Sequence, residues 1–142
     1  MWKTFREREE SCIRTFPIVI HSNNDHLKHI HPLKQELCEA IVSGLSKIPS
    51  IKKIWIFGSS VNHRCTIYSD LDILIEDDTS EKDFEAIDEN TNLYYKTVNT
   101  SIKNINKRTK KFDILLLSEI NKNTSLNKNI ERDRRLIYEQ PD

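Results

Sequence analysis

The stretch Ile56–Glu76, "IFGSSVNHRCTIYSDLDILIE", decides the fold of this chain because it ends one apolar run and begins another. It places Gly58, one of only 2 glycines, directly after a β-rich run, and it opens the next run with Asp70 and Asp72. A glycine in this position lets the backbone approach a ligand closely, since it has no Cβ. The stretch therefore predicts a strand, a polar turn and a second strand that begins with two carboxylates.

Apolar periodicity and turn signals predict the other elements of the chain. Leu33, Leu37, Ile41 and Leu45 recur every four residues, which gives one face of a helix that packs on a core. The first half of the chain is predicted to contain a short N-terminal helix, an extended segment Phe16–His21, a helix from Asn24 or Asp25 to about Lys47, and the strand Ile51–Phe57. The second half is predicted to contain the strand Asp70–Glu76, a helix from Ser80 to about Val98, and the strand Phe112–Ser118. A final helix is predicted within Asn123–Gln140 and carries a short apolar tail at Leu136–Tyr138. This order predicts an α/β domain built on a small sheet.

The composition is typical of one globular domain. The chain has 142 residues, of which 37% are hydrophobic and 31% are charged. No apolar run approaches the ~20 residues of a membrane span, and the charged N-terminus lacks the apolar core of a secretory signal. The three cysteines have no metal-binding spacing, so reduced thiols are expected. These features predict a cytoplasmic protein that has no membrane partner.

The charges balance in total but are unevenly placed along the chain. Asp70–Glu89 contains ten acids and one base, whereas Lys96–Arg135 contains eleven bases and four acids. The basic half suits phosphate groups or an acidic partner, and the alternative is a set of solvated helix faces. The same two interpretations hold for the basic group before the third strand, which consists of Lys107, Arg108, Lys110 and Lys111.

Three aspartates are the candidate metal ligands. Side chains alternate between the two faces of a strand, so Asp70 and Asp72 point the same way. The apolar residues that alternate with them are predicted to point the other way, into a core, and they are Leu71, Ile73 and Ile75. Asp113 follows the apolar start of the third strand, and three carboxylates converge if the second and third strands are neighbours. Carboxylate oxygens that leave room for water and phosphate suit Mg²⁺. The alternative for two aspartates at the start of a strand is a turn or a cap.

The residues after the first strand are the candidate phosphate site. Gly58 is followed by Ser59 and Ser60. Backbone amides of a following helical turn, together with two hydroxyls, form a site for an anion. Taken alone, this tripeptide is also typical of an ordinary turn from strand to helix.

The combined pattern resembles a known family. Gly58 and Ser59, followed after ten residues by Asp70-Leu71-Asp72, are similar to the signature of the polymerase-β-like nucleotidyltransferase superfamily. The similarity is greatest to the minimal nucleotidyltransferases (MNT). It implies an α+β nucleotidyltransferase fold, with a small mixed sheet flanked by helices, and an enzyme that uses Mg²⁺ and ATP or another NTP.

The resemblance covers about residues 51–138, and we expect an N-terminal extension at residues 1–25 and the nucleotidyltransferase domain at residues 26–142. The roles that it implies are nucleotide binding by Gly58, Ser59, Ser60, Arg64 and Ser69, metal binding and catalysis by Asp70, Asp72 and Asp113, and a further role for Asp113 as general base.

Two positions depart from the pattern of the family. The small-Arg-Gly stretch that usually follows Gly-Ser reads Val61-Asn62-His63 here, and Arg64 comes one residue later. Arg64 is therefore the candidate for the arginine that contacts phosphate, with His63 as a second candidate for nucleotide contact. Near the end of the chain, Arg134 replaces a glycine that is usual in the family.

The resemblance implies a function and leaves several alternatives. Small MNT proteins resemble antitoxins that transfer NMP, most often AMP, to a hydroxyl of a HEPN-type toxin, and this is the first hypothesis. The second is a small-molecule nucleotidyltransferase of the aminoglycoside-modifying type. The third is an antitoxin that binds its partner without catalysis. A polymerase or tRNA-end-adding fragment is disfavoured because the sequence contains no nucleic-acid-binding domain. Monomeric and oligomeric states both stay open.

Overall fold

The computed structural model describes residues 32–58, 68–80, 82–105, 110–120 and 125–141. The predicted N-terminal helix and the extended segment Phe16–His21 lie outside these residues. The elements in chain order are α1 (Pro32–Leu45), β1 (Ile51–Phe57), β2 (Leu71–Asp77), α2 (Phe84–Ile102), β3 (Phe112–Leu116), a short 3₁₀ helix (Leu117–Glu119), α3 (Ser125–Asp133) and β4 (Arg135–Glu139).

The four strands form one mixed sheet in the order β3-β2-β1-β4. The strands β1 and β2 pair antiparallel. The strands β2 and β3 pair parallel, because α2 returns the chain to the end of the sheet at which β2 begins. The expected fold, a small mixed sheet flanked by helices, is therefore confirmed.

The prediction for the end of the chain was wrong. Asn123–Gln140 was expected to form one helix with an apolar tail, but the helix ends at Asp133 and Arg135–Glu139 form the strand β4. This strand pairs antiparallel with β1, and Trp55 is the register partner of Leu136. Its neighbour in the sheet is about eighty residues away in sequence, so no local pattern identifies the pairing.

The two faces of the sheet pack against different helices. Leu71, Ile73 and Ile75 are buried on the face that α1 and α2 cover. Leu74 is buried on the other face, with Trp55 and residues of α3 and β4. Because side chains alternate along β2, Asp72 lies on the same face as Leu74. The same alternation was predicted from the sequence, with Leu71, Ile73 and Ile75 in the core.

The helix α2 begins later and ends later than predicted. Asp83 caps it, because its side chain accepts a hydrogen bond from the backbone N–H of Ala86 at 3.1 Å. Tyr94 on this helix is fully buried, and its hydroxyl donates to Oδ2 of Asp77 at 2.6 Å. This contact ties α2 to the end of β2 that is remote from Asp72.

Within the described part of the chain, no helix has the length and apolar character needed to cross a bilayer.

Candidate active site

A row of residues runs across three adjacent strands at one end of the sheet. In the register of the sheet, Asp72 on β2 is opposite Phe57 on β1 and opposite Asp113 on β3. Adjacent strands are about 4.8 Å apart, so Asp72 and Asp113 are next to each other. Gly58 follows Phe57 and lies on the other side of Asp72. The structure thus brings together Asp72 and Asp113, two candidate metal ligands that are distant in the sequence.

Asp72 is the central carboxylate of this row. Burial, followed by the charges of Asp113 and Asp70, raises its pKa from 3.8 to about 6. The effect of both neighbours has the sign of like charges that repel one another. Three carboxylates are thus close enough to destabilise the ionised form of one of them, which is the situation that a bound cation relieves.

Gly58 has a backbone conformation that explains the presence of a glycine. Its φ is 77°, in the left-handed region that other residues rarely adopt. A Cβ built on Gly58 would overlap Oδ2 of Asp72 and would lie 3.4 Å from its Cγ. The sequence predicted close approach of a ligand at this position. In the structure, the group that approaches the Gly58 backbone is the Asp72 carboxylate.

Ser69 and Asp70 lie just before β2, and a buried lysine of α1 is hydrogen-bonded to the backbone of Ser69. Lys34 is only 2% exposed, and its ammonium group donates a hydrogen bond to the backbone carbonyl of Ser69. Asp70 itself is exposed. Lys34 was not predicted as a site residue. The signal was present in the sequence, because Lys34 precedes Leu37 and Cys38 by three and four residues and so lies on the buried face of the helix.

A cleft of about 570 Å³ opens beside Asp113, at the outer edge of the sheet. We call it the β3 cleft. Its lining residues come from the loop before β2, from the second half of α2 and from the start of β3, and they are Asp70, Tyr95, Asn99, Lys110, Lys111, Phe112 and Asp113. The β3 cleft is therefore lined by two of the three candidate carboxylates together with basic and aromatic side chains.

The three carboxylates suit a hard cation such as Mg²⁺ by their chemistry, since all their donor atoms are carboxylate oxygens. Among the described residues, however, no three acidic, histidine or cysteine side chains are gathered closely enough to form a ready metal cage. The like charges of Asp70, Asp72 and Asp113 repel one another in this arrangement. The donor set fits the ion, and binding would require the side chains to turn toward it.

Ser59, Ser60 and Arg64 lie outside the described residues, as does His63. Their predicted roles in nucleotide binding stay predictions, and so do the roles of Gly58 and Ser69. The assignment of the three aspartates as ligands and catalysts is likewise still a prediction.

Replacing Asp72 with Asn is expected to stabilise the metal-free protein at neutral pH. The raised pKa means that the ionised carboxylate costs folding free energy above about pH 6, while below about pH 3.8 the group is protonated in both the folded and unfolded states. The size of the shift corresponds to at most about 3 kcal/mol, which its half-exposed position reduces to about 1 kcal/mol. The expected rise in Tm is about 3 °C.

Thermal unfolding in EDTA at several pH values measures this effect. The difference between Asp72→Asn and the unmodified chain should be largest at pH 7–8 and should decrease toward pH 4. Asp78→Asn is the matched control, because Asp78 is exposed just after the opposite end of β2. A Tm for Asp72→Asn below that of the unmodified chain at pH 8 would contradict the repulsion argument.

Comparison with known proteins finds a matching family model and similar solved structures. The family model described as "Polymerase beta, Nucleotidyltransferase" matches residues 39–142. No curated protein matches the chain significantly. A chain from the complex of a tri-AMPylated Shewanella oneidensis HEPN toxin with MNT antitoxin is similar in structure, with a TM-score of 0.49 and 16% identity over 75% of this chain and 73% of that one. A chain from a mutant MntA–HpeT toxin–antitoxin structure has a TM-score of 0.48 and 10% identity over 75% and 73% of the two chains.

Proposed function

Because this chain belongs to the polymerase beta nucleotidyltransferase family, we propose that it transfers a nucleoside monophosphate, in the first place AMP, from an NTP to a hydroxyl group of a protein partner. The observation that carries the proposal is the pairing of Asp72 with Asp113 on adjacent strands, beside Gly58, which directly follows β1, the third strand of the row. A pair of carboxylates on neighbouring strands is suited to binding the cation that accompanies a charged substrate. The catalytic domain is proposed to extend over residues 26–142.

The candidate site residues form groups that have separate tasks in this proposal. Asp70, Asp72 and Asp113 would hold Mg²⁺, which neutralises charge on the phosphates when it is bound. The backbone at Gly58, with Ser59, Ser60 and Arg64, would bind the triphosphate, and Ser69 would contact it from the start of β2. Lys34 holds the backbone at Ser69, directly before Asp70, and so restricts the position of the Asp70 side chain. Catalysis then depends mainly on positioning and on charge.

The chemical step is a displacement at the α-phosphorus of the nucleotide. The acceptor hydroxyl oxygen forms a new bond to the α-phosphorus, and the bond from that phosphorus to the oxygen of the β-phosphate breaks. Pyrophosphate leaves with the electron pair of this bond. Asp113 would accept the proton of the attacking hydroxyl and release it to water. Since Asp113 is exposed, an acceptor on another protein can reach it.

The proposed partner is a HEPN-type toxin, for which this chain would act as an antitoxin in the cytoplasm. This step rests on the resemblance of the segment from Gly58 to Asp72 to the MNT proteins. The uneven distribution of charge along the chain is compatible with a protein partner, because a basic half offers a complementary surface to an acidic one.

Labelled nucleotides test the proposed reaction. The chain is incubated with each of the four NTPs and Mg²⁺, alone and with a co-purified partner, and the products are separated by mass. We expect label on the partner protein, strongest with ATP, and no label when EDTA is present. Label on an aminoglycoside that is added in a parallel reaction would instead support the small-molecule alternative. Tight partner binding without any transfer would favour an antitoxin that acts by binding alone.

A further inference from the structure

The β3 cleft lies on the side of Asp113 that is remote from Gly58. The sheet order β3-β2-β1-β4 makes β3 an edge strand, so Asp72 on β2 separates Gly58, which directly follows β1, from Asp113 on β3. The cleft starts at Asp113 and extends outward past Phe112 to the second half of α2. A molecule in the cleft would therefore meet Asp113 from the side opposite to Gly58.

The inner surface of the cleft is aromatic and held in place. The rings of Tyr95 and Phe112 are stacked, with their centroids 5.4 Å apart and an angle of 30° between the planes. The Tyr95 hydroxyl accepts a hydrogen bond from the backbone N–H of Ile114 at 3.1 Å. This bond occupies a backbone donor of the edge strand and fixes the orientation of the Tyr95 ring. The cleft thus has a rigid apolar surface against which a side chain can pack.

The rim of the cleft is basic. Lys110 and Lys111 lie next to each other just before β3, and Lys111 is exposed. The ammonium group of Lys110 donates to the backbone carbonyl of Lys103 at 3.0 Å, which holds its positive charge beside the C-terminal end of α2. Two lysines in sequence at this rim provide an attractive potential for a polypeptide that carries negative charge.

We propose that the β3 cleft is the acceptor site and that it binds a hydroxyl-bearing side chain presented by an acidic polypeptide segment. This inference rests on the proposed function and specifies its acceptor. The hydroxyl side chain would pack against Tyr95 and Phe112, and acidic residues that flank it would contact Lys110 and Lys111. The hydroxyl oxygen would then lie at Asp113, which takes its proton.

The geometry of phosphoryl transfer gives this assignment its direction. The attacking and leaving oxygens are roughly in line with the phosphorus. If pyrophosphate departs on the Gly58 side, the attacking oxygen has to arrive from the Asp113 side. The P–O bond to the acceptor forms as the P–O bond to the β-phosphate breaks, so the number of bonds at the α-phosphorus is unchanged. Pyrophosphate carries away the electron pair of the broken bond. The β3 cleft is on the required side.

Synthetic peptides test the acceptor site directly. In one set, a central Tyr, Ser or Thr is flanked by two Glu on each side, and in the matched set Lys replaces every Glu. We expect transfer to the acidic peptides with a kcat/KM roughly tenfold above that for the basic ones, from two exposed charge pairs. The double variant Lys110→Glu/Lys111→Glu should reverse this preference. The double variant Lys47→Glu/Lys52→Glu, with the same change of charge at the opposite end of the sheet, should retain it.

Two further measurements separate this inference from the proposed function. The first is fluorescence anisotropy of a labelled acidic peptide, which reports binding even if no transfer occurs. Binding that is lost only in the Lys110→Glu/Lys111→Glu variant supports the cleft whether or not transfer is found. The second is the affinity for the Mg²⁺ complex of a non-hydrolysable ATP analogue. Equal affinity of the unmodified chain and the cleft variant for this complex is expected.

Two results would overturn the inference. One is the absence of any charge preference, or a preference that the cleft variant retains. The other is a cleft variant that loses nucleotide affinity while it still binds the acidic peptide, because Lys110 and Lys111 would then serve the triphosphate.

Discussion

Asp72→Asn is expected to lose Mg²⁺-dependent nucleotidyl transfer by more than about 100-fold while the chain remains folded. Changes to groups that only orient a metal ligand cost about 10- to 100-fold, and Asp72 is proposed as a ligand itself. It is the residue that has Asp113 on one side and the Gly58 backbone on the other. Asparagine keeps the shape of the side chain but removes the charge that binds the cation. Transfer of labelled AMP to the partner, measured across Mg²⁺ concentrations, tests the expectation.

The same change is also expected to raise the Tm in EDTA, and the two results together are more informative than either alone. A variant that is more stable without metal and inactive with it identifies a residue kept for function at the expense of stability. Asp113→Asn should lose transfer to a similar extent, whereas Asp78→Asn should keep it. Full activity of Asp72→Asn would refute the assignment of the site.

The local parts of the site could be predicted from the sequence because they follow from short-range patterns. The alternation of Asp72 with Leu71 and Ile73 indicates which face of β2 is polar, and the structure confirms that Leu71 and Ile73 are in the core. The juxtaposition of Asp72 with Asp113 was only conditional, because forty residues and a helix separate them and nothing local specifies strand order. The parallel pairing of β2 and β3 supplies that condition.

Non-local pairing explains what the sequence did not reveal. The segment Arg135–Glu139 has three consecutive apolar residues, which are compatible with the end of a helix or with a short strand. The free edge of β1 selects the strand, because pairing with β4 satisfies backbone groups that would otherwise stay open. The family's usual glycine is Arg134 here, and its guanidinium carbon lies 4.6 Å from the centroid of the Trp55 ring. This stacking stabilises the junction of α3 and β4.

The role of Lys34 illustrates a different limit of sequence reasoning. The spacing of Leu37, Ile41 and Leu45 identified the buried face of α1, and a lysine on that face is a recognisable exception. A buried ammonium group needs polar partners, yet the sequence does not indicate which they are. The partner is a backbone carbonyl thirty-five residues away, at Ser69. Its position just before Asp70 links the packing of α1 to the candidate site.

Gly58→Ala is expected to reduce transfer by about 100-fold and to destabilise the fold by about 1–2 kcal/mol. The free energy cost arises because alanine is disfavoured at a φ of 77°. The loss of transfer arises because the new Cβ would occupy the position of the Asp72 carboxylate, whose Cγ is 3.4 Å from it. Displacing a catalytic group by about 1 Å is enough to cost about 100-fold. Transfer per folded molecule and the affinity for Mn²⁺, measured by calorimetry, are the two readouts.

Gly44→Ala is the matched control, because it changes the only other glycine to the same residue. A Cβ on Gly44 would overlap Oγ of Ser101 and would lie 3.3 Å from Cγ2 of Thr97, at the contact between α1 and α2. That variant should lose stability but keep its transfer per folded molecule and its affinity for Mn²⁺. If Gly58→Ala behaves in the same way, then Gly58 serves only the backbone turn. If it loses both readouts, the space beside Gly58 is reserved for the carboxylate, and Asp72 depends on a residue of the neighbouring strand for its position.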